Sequence, residues 1–479
     1  MAGFAQYDEY DGLGLAALVR DGEVSAGELL EEAIARTERV NGRLNAVVHT
    51  WYDEAREAVA TGVPQGPFAG VPFLLKNLDI AMAGTPMSNG SGAWRDHVCD
   101  SDSTLAQRYR QAGLVCFGRS NSPELGLNPV TEPAAFGPTC NPWDTARTPG
   151  GSSGGAAAAV ASGVVPMAHA SDGGGSIRIP ASCCALVGLK PSRGRIPMGP
   201  TNSEGWAGQT TSHIVSRSVR DTAAMLDATA GPDVGDYYTA PPPAGRFLDA
   251  ASAAPGTLRI AVCHSKFGPG EFQPEVLKGL QRTIALLEGL GHSVEEARPD
   301  FDGEAAASAM FTVICVNTLY TLRERAMALG TTLEQLDIED GTRLTLALGE
   351  GISAPDYLGA VRSNHQLARQ LGQFHQRYDV ILGPTLSSPP VLTGFIGEAP
   401  PEEYGERLFS FMGDTGLYNQ TGQPSISLPL AWTDSGLPLG MMFSAAYGND
   451  ALLLSLAAQL EDAAPWRGRR PAVHAGEKA

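Results

Sequence analysis

Paired cysteines are missing from this sequence of 479 residues: its seven cysteines, at 99, 116, 140, 183, 184, 263 and 315, form no CxxC pair. An odd, scattered set excludes a secreted disulfide framework and a paired-thiolate metal site, and leaves reduced thiols in a cytoplasmic protein as the expectation. Basic charge is also scarce, 34 lysines and arginines against 52 acidic residues for a formal net charge of −18. That balance argues against nucleic acid or an anionic membrane surface as partner. The start, "MAGFAQYDEYDGLGL", has no basic segment leading into an apolar run, so no export leader is read there. No stretch reads as the roughly 18 uncharged apolar residues of a membrane span. Also lacking are an HExxH helix and any ligand-spaced His and Asp set, so no metal and no cofactor are expected.

What is present alternates between helical and strand patterns. "SAGELLEEAIARTERVNGRLNAVV" opens with Ser25 and Glu28 at capping-box spacing, followed by an apolar stripe at helical period. Buried strands are predicted at 71–75 and in "LVCFG" and "YDVILGPT", further strands in "TLRIAVC", "HSVEEA", "PSISLPL" and "LGMMFSA", and helices at 103–113, 218–231, 274–290 and in "DALLLSLAAQLEDA". Continuous apolar strands between helices imply an α/β fold with a large sheet covered on both faces. The segment 232–256, rich in proline and small residues, reads as a long surface loop or a linker. The organisation is read as one domain over 1–479, with an N-terminal helical part (about 1–65), a core (about 66–231) and a C-terminal part (about 257–472).

Glycine concentrates between Thr148 and Ser192, where Ser152 and Ser153 sit in "GGSSGG" and Ser176 closes "GGGS", followed by "IRIP", which alternates like a strand. Neither cluster is a P-loop, since Gly155 is followed by Ala156 rather than lysine, and neither gives GxGxxG. One reading is tight turns that let "AAAAVASG" pack on a sheet. The other is an anion hole: successive N–H groups at Gly173, Gly174 and Gly175 without side chains above them form a concavity for developing negative charge, and Ser176 adds its own N–H. A serine needs a base. Nine histidines are scattered, His169 being nearest, and the alternative is Lys76, which ends an apolar strand where burial lowers its pKa.

Lys76 in "GVPFLLKN", the block "NPWDTARTPGGSSGGAAAAVASGVVP" and "SDGGGSIRIPASCCALVGLKPS" together resemble the amidase signature family. "GRSNSPELG", "DVILGPT" and "NQTGQPSISLPL" fall in that family's order. The resemblance implies an amidase signature fold, a twisted mixed sheet between helices. It further implies a Ser-cisSer-Lys triad: Ser176 as nucleophile, Ser152 after a cis peptide as bridge, Lys76 as neutral base. The N–H groups of Gly173, Gly174, Gly175 and Ser176 would form the oxyanion hole, with Ser153, Asp172 and Arg178 supporting the loop. Asn77 and Ser120 depart from the common aspartate and threonine, which touches local hydrogen bonds and no triad member.

The expected activity is hydrolysis of carboxylic amides, linear, cyclic or aryl, with esters or carbamates as extensions. "TEPAAFGPTCNPWD" and the region after Ala168 are most similar to the branch of 6-aminohexanoate cyclic dimer hydrolases, which open nylon-related amides. That likeness suggests Cys315, in "FTVICVN", as a substrate contact, against the plain reading of a buried helical thiol. The expected partner is a small-molecule amide, with a homodimer as the assembly considered. Alternatives are a glutamine-hydrolysing amidotransferase subunit and a non-catalytic binding protein on the same scaffold.

Overall fold

Strands buried on both faces belong inside a sheet, and here they fill the interior of an 11-stranded one whose two end strands are the more exposed. The computed structural model describes residue 4 and residues 6–476. Residues 1–3, 5 and 477–479, the extremes of the expected single domain and the first positions of the N-terminal stretch, lie outside the described residues. The strands are β1 (Val47–Thr50), β2 (Pro72–Lys76), β3 (Val115–Ser120), β4 (Met167–Asp172), β5 (Val187–Lys190) and β6 (Thr211–Ser216), then β7 (Arg259–Val262), β8 (Ser293–Glu296), β9 (Val380–Pro384), β10 (Ser425–Trp432) and β11 (Pro438–Ala445). Their order is β1-β3-β2-β4-β6-β5-β10-β11-β9-β7-β8. β2 runs parallel to β3 and β4, and β7 parallel to β8 and β9, while the central pairs from β4 through β6, β5, β10 and β11 to β9 are antiparallel. The sheet is therefore mixed, as expected.

Side chains alternate between faces along each strand. Phe73 and Leu75 enter one large apolar cluster with helices Val219–Thr229 and Asp450–Ala463. Leu74 enters the other, with helix Gly154–Ala161, all eight of whose residues are buried. The segment 232–256 is an extended loop carrying a short helix, Phe247–Ala251, and the strands on its two sides belong to the same sheet.

Two sequence expectations fail. "SIRIP" is no strand: Arg178–Cys184 is a helix. The Asp172 carboxylate accepts the N–H groups of Gly175 and Ile177, which start that helix, and Pro180 falls where an intrahelical N–H bond is not required. An apolar run long enough for a membrane also exists. Helix Gly303–Leu329 reaches a mean hydropathy of 1.5 over 18 residues, long and apolar enough to cross a membrane by length and composition only. It packs along helices Asp340–Glu350 and Ala354–Phe374.

Candidate active site

Lys76 ends β2 at the point where pairing with β4 stops. The two strands are registered only at Leu74 and Ala168, and beyond that the Lys76 N–H donates to His169 Nδ1 at 3.2 Å instead of a strand carbonyl. Burial lowers the pKa of His169 well below the ordinary histidine range, with the Lys76 charge acting the same way. The imidazole is thus neutral and able to accept. From the other side, Arg119 donates to the Lys76 and Ile80 carbonyls at 3.1 and 2.9 Å. Lys76 is fixed at its backbone before its side chain is considered.

The ammonium end is dry. Lys76 is fully buried, and its Nζ lies 2.7 Å from Ser152 Oγ and 3.0 Å from Ser171 Oγ. Desolvation pulls its pKa from 10.5 to about 7, against the opposing charges of Asp79 and Asp172. A substantial neutral fraction therefore exists near neutral pH.

Ser152 sits in the loop ahead of helix Gly154–Ala161, and the Gly151–Ser152 peptide is cis, matching expectation. Thr131 clasps the loop, its Oγ1 donating to the Gly150 carbonyl at 2.8 Å and accepting from the Gly154 N–H at 3.2 Å. A Cβ at Gly151 would stand 2.7 Å from the Asn128 carbonyl oxygen, so only glycine passes there. Ser153 Oγ donates to the Ser171 carbonyl and accepts from its N–H, tying the loop to β4.

Asp172 and Arg178 are both fully buried and bidentate, with two contacts of 2.9 Å. Asn419 completes the set, its Nδ2 donating to Asp172 and its Oδ1 accepting from Arg178 at 2.7 Å. Burial alone would raise the Asp172 pKa, but the Arg178 pair and the Asn419 hydrogen bond outweigh it and hold the carboxyl at about 2. This is a permanent ion pair at the root of the glycine turn.

Of the four expected oxyanion donors, Gly175 differs: its N–H is turned into Asp172 at 2.7 Å, because that carboxylate caps the following helix. Among the described residues no acceptor bonds the N–H of Gly173, Gly174 or Ser176. A Cβ on Gly173 would lie 2.8 Å from the Trp206 ring, one on Gly174 2.8 Å from Met310 Cε, and one on Gly175, at φ 135°, 2.3 Å from Thr415 Oγ1. Bare backbone is thus required by this roof. Ser176, half-buried at the turn, makes no hydrogen bond through its hydroxyl among the described residues, and its link to Ser152 is open in this conformation. Cys315 is fully buried on helix Gly303–Leu329, with Gly349 packed against its carbonyl. Asn77 and Ser88 exchange hydrogen bonds, so the unusual asparagine has a local partner.

A profile of the amidase family matches residues 28–454. The chain belongs to the amidase family. It is an amide-hydrolysing enzyme. This amidase is 36% identical over 475 residues to 6-aminohexanoate-cyclic-dimer hydrolase of Paenarthrobacter ureafaciens, covering 96% of each chain. A solved structure of 6-aminohexanoate cyclic dimer hydrolase complexed with substrate superposes with a TM-score of 0.90 at 34% identity, over 97% of the amidase and 99% of that chain. A bacterial aryl acylamidase of the amidase signature family superposes with 0.88 at 29% identity, over 96% and 99%.

Sequence reasoning brought Lys76 and Ser152 together and missed the groups that fix them. Ser171, Asn419 and Thr131 each lie inside or beside a quoted block, but nothing in the strings says which hydroxyl meets the lysine. His169 was noticed only as a base. Trp206, Met310 and Thr415 fall in the three segments expected from the sequence to wall the pocket, 197–215, 305–375 and 386–420, although none was singled out as a residue.

Proposed function

We propose that the amidase cleaves small carboxylic amides, linear, cyclic or aryl, and some esters or carbamates, through an acyl-enzyme on Ser176. Neutral Lys76 takes the Ser152 proton as Ser152 takes that of Ser176, and Ser176 Oγ bonds to the substrate carbonyl carbon. The oxyanion accepts from the free N–H groups of Gly173, Gly174 and Ser176. Collapse breaks the C–N bond, and the proton returns from Lys76 through Ser152 to the leaving nitrogen. Water repeats the path to release the acid. The mechanism requires that Ser176 Oγ donate to Ser152 in the substrate complex, a contact that substrate binding has to close.

The observation that carries this reading is the 2.7 Å approach of a fully buried lysine amine to Ser152, in a pocket that lowers its pKa to about 7. Trp206, Met310 and Cys315 are assigned to the substrate pocket wall on the same reading. The substrate printed for the 36%-identical relative supports including a cyclic amide among those tried. The test is a panel of linear, cyclic and aryl amides, esters and carbamates, with Ser176→Ala as blank, together with fluorophosphonate labelling. Hydrolysis of at least one amide and a label on Ser176 are expected; labelling elsewhere, or full activity in Ser176→Ala, overturns the mechanism.

A further inference from the structure

Residues without side chains leave backbone donors bare, and they also leave the peptides between them free to take several settings. Gly175, at φ 135°, occupies one that glycine alone adopts readily, so the glycine turn is not stiffened from within. Its orientation has to be imposed from outside.

Helix Thr415–Thr421 supplies that constraint through two side chains one helical turn apart. Asn419 Nδ2 donates to the Asp172 carbonyl at 3.0 Å, and Thr415 Oγ1 donates to the Gly174 carbonyl at 2.6 Å. In a planar trans peptide the N–H points away from its own carbonyl. The first bond therefore turns the Gly173 N–H away from the helix. The second acts on the peptide joining Gly174 to Gly175, whose N–H donates to the Asp172 carboxylate at 2.7 Å. That peptide is held at both ends. It lies between the two peptides that carry the free N–H groups of Gly174 and Ser176, and rotating it changes the direction of its carbonyl dipole between those donors.

The two side chains differ in what depends on them. Asn419 also bonds Arg178 and the Gln209 carbonyl, and so belongs to the buried ion pair. Thr415 is fully buried, and its hydroxyl bonds Gly174 alone among the described residues. The helix that carries it is anchored independently by Gln420, whose Nε2 donates to the Ala306 carbonyl and to Asn364 Oδ1 at 2.8 Å each.

We propose that Thr415 is a positioning residue for amide hydrolysis: its hydroxyl fixes the Gly174–Gly175 peptide so that the N–H groups on either side of it are set for the oxyanion. It acts through the turn and touches no reacting atom. This rests on Ser176 being the nucleophile and on the turn being its oxyanion site. Such a hydroxyl contributes more to the transition state than to substrate binding, because the negative charge appears only as Ser176 adds to the carbonyl.

The experiment uses the full chain as wild type, Thr415→Val, which removes the donor at nearly constant shape, Thr415→Ala, and Thr415→Ser, which keeps the hydroxyl. Each variant is measured on the folded fraction from size exclusion. On an amide that wild type cleaves, Thr415→Val is expected to lower kcat about 10-fold to 100-fold, with KM within about threefold; deleting a donor outright typically costs about 10²–10³. An alkyl trifluoromethyl ketone tests the same point, since Ser176 Oγ adds to its carbonyl carbon, the serine proton passes to Ser152 and on to Lys76, and the ketone oxygen becomes an alkoxide in the turn. Its inhibition should weaken in Thr415→Val by the factor lost in kcat, while inhibition by the corresponding secondary alcohol stays unchanged. Thr415→Ser should restore both quantities to within about threefold of wild type. An unchanged kcat in Thr415→Val, a loss confined to KM, or a Thr415→Ser variant as impaired as Thr415→Val overturns the proposal. Failure of both Thr415→Val and Thr415→Ala to fold assigns the hydroxyl to the fold and overturns it as well. In each of these cases the amidase mechanism stands as long as wild type is labelled at Ser176. If wild type cleaves no amide and Ser176 takes no fluorophosphonate, the mechanism fails and the proposal with it.

Discussion

Two lysines in this protein share a burial and a pKa but not their hydrogen-bond partners. Lys76 and Lys190 are both enclosed, and desolvation lowers each from 10.5 to about 7. Around Lys190, Arg178 and Arg193 push in the same direction as burial while Asp172 and Asp450 oppose. The difference lies in what each amine touches. Lys76 meets two hydroxyls, at 2.7 and 3.0 Å, whereas Lys190 donates to the carbonyl of Pro191 at 2.8 Å. A carbonyl has no proton to give, so a neutral amine there can remove nothing. A perturbed pKa marks a candidate, and the neighbouring proton donor decides.

The sharpest break of this comparison is substitution. Lys76→Met should lower kcat by about 10²–10⁴-fold or more, the range for losing a positioned general base, whereas Lys190→Met should change kcat less than about threefold. Equal losses in steady-state kinetics would erase the distinction. Ser152→Ala should come next, with a loss of about 10²-fold or more, because the relay then has no hydroxyl between amine and nucleophile.

Arg178→Met tests the ground on which both lysines stand. It leaves the Asp172 carboxylate buried without its partner, and denaturant unfolding should show a loss of about 3–5 kcal/mol. Lys190→Met, by contrast, removes a buried amine whose protonation favours the unfolded chain, and should leave stability unchanged or raised in the same measurement at neutral pH.

Acidity sharpens the comparison more gently. Activity on a neutral amide should rise as pH climbs through about 7, following deprotonation of Lys76, and then level; a rate independent of pH from 5 to 9 with chemistry limiting contradicts the assignment. Both lysines bind protons less readily folded (about 7) than unfolded (10.5). Between those values the unfolded chain holds more protons, so stability should rise with pH across that window and be constant below it. Lys190→Met should flatten the slope by the smaller share that one group supplies.

Much of this was legible in the residues. The double serine and the glycine-framed serine are local strings, and the strand ending in Lys76 is a local apolar pattern. Their order along the chain named the family and its fold, which Lys76 and Ser152 meeting at 2.7 Å matches. The helix at Arg178–Cys184 was misread because its short alternation looks like a strand, and the group that starts it, the Asp172 carboxylate, acts through space six residues away. The individual residues of the roof over the glycines could not be picked out for a similar reason. Met310 and Thr415 come from segments more than a hundred residues distant, and no period or motif links them to Gly174.

The amino-acid order by itself determined most sheet-forming and helix-forming segments, the glycine-framed serines and the lysine that ends an apolar strand, and the acidic balance, because each depends on side chains close together in the chain. Folding alone decided which donors remain free, Gly173, Gly174 and Ser176 but not Gly175, and which of two buried amines faces a hydroxyl. Desolvation and hydrogen-bond direction belong to the packed environment, assembled from β2, β4 and loops far apart in sequence, and no single segment carries them.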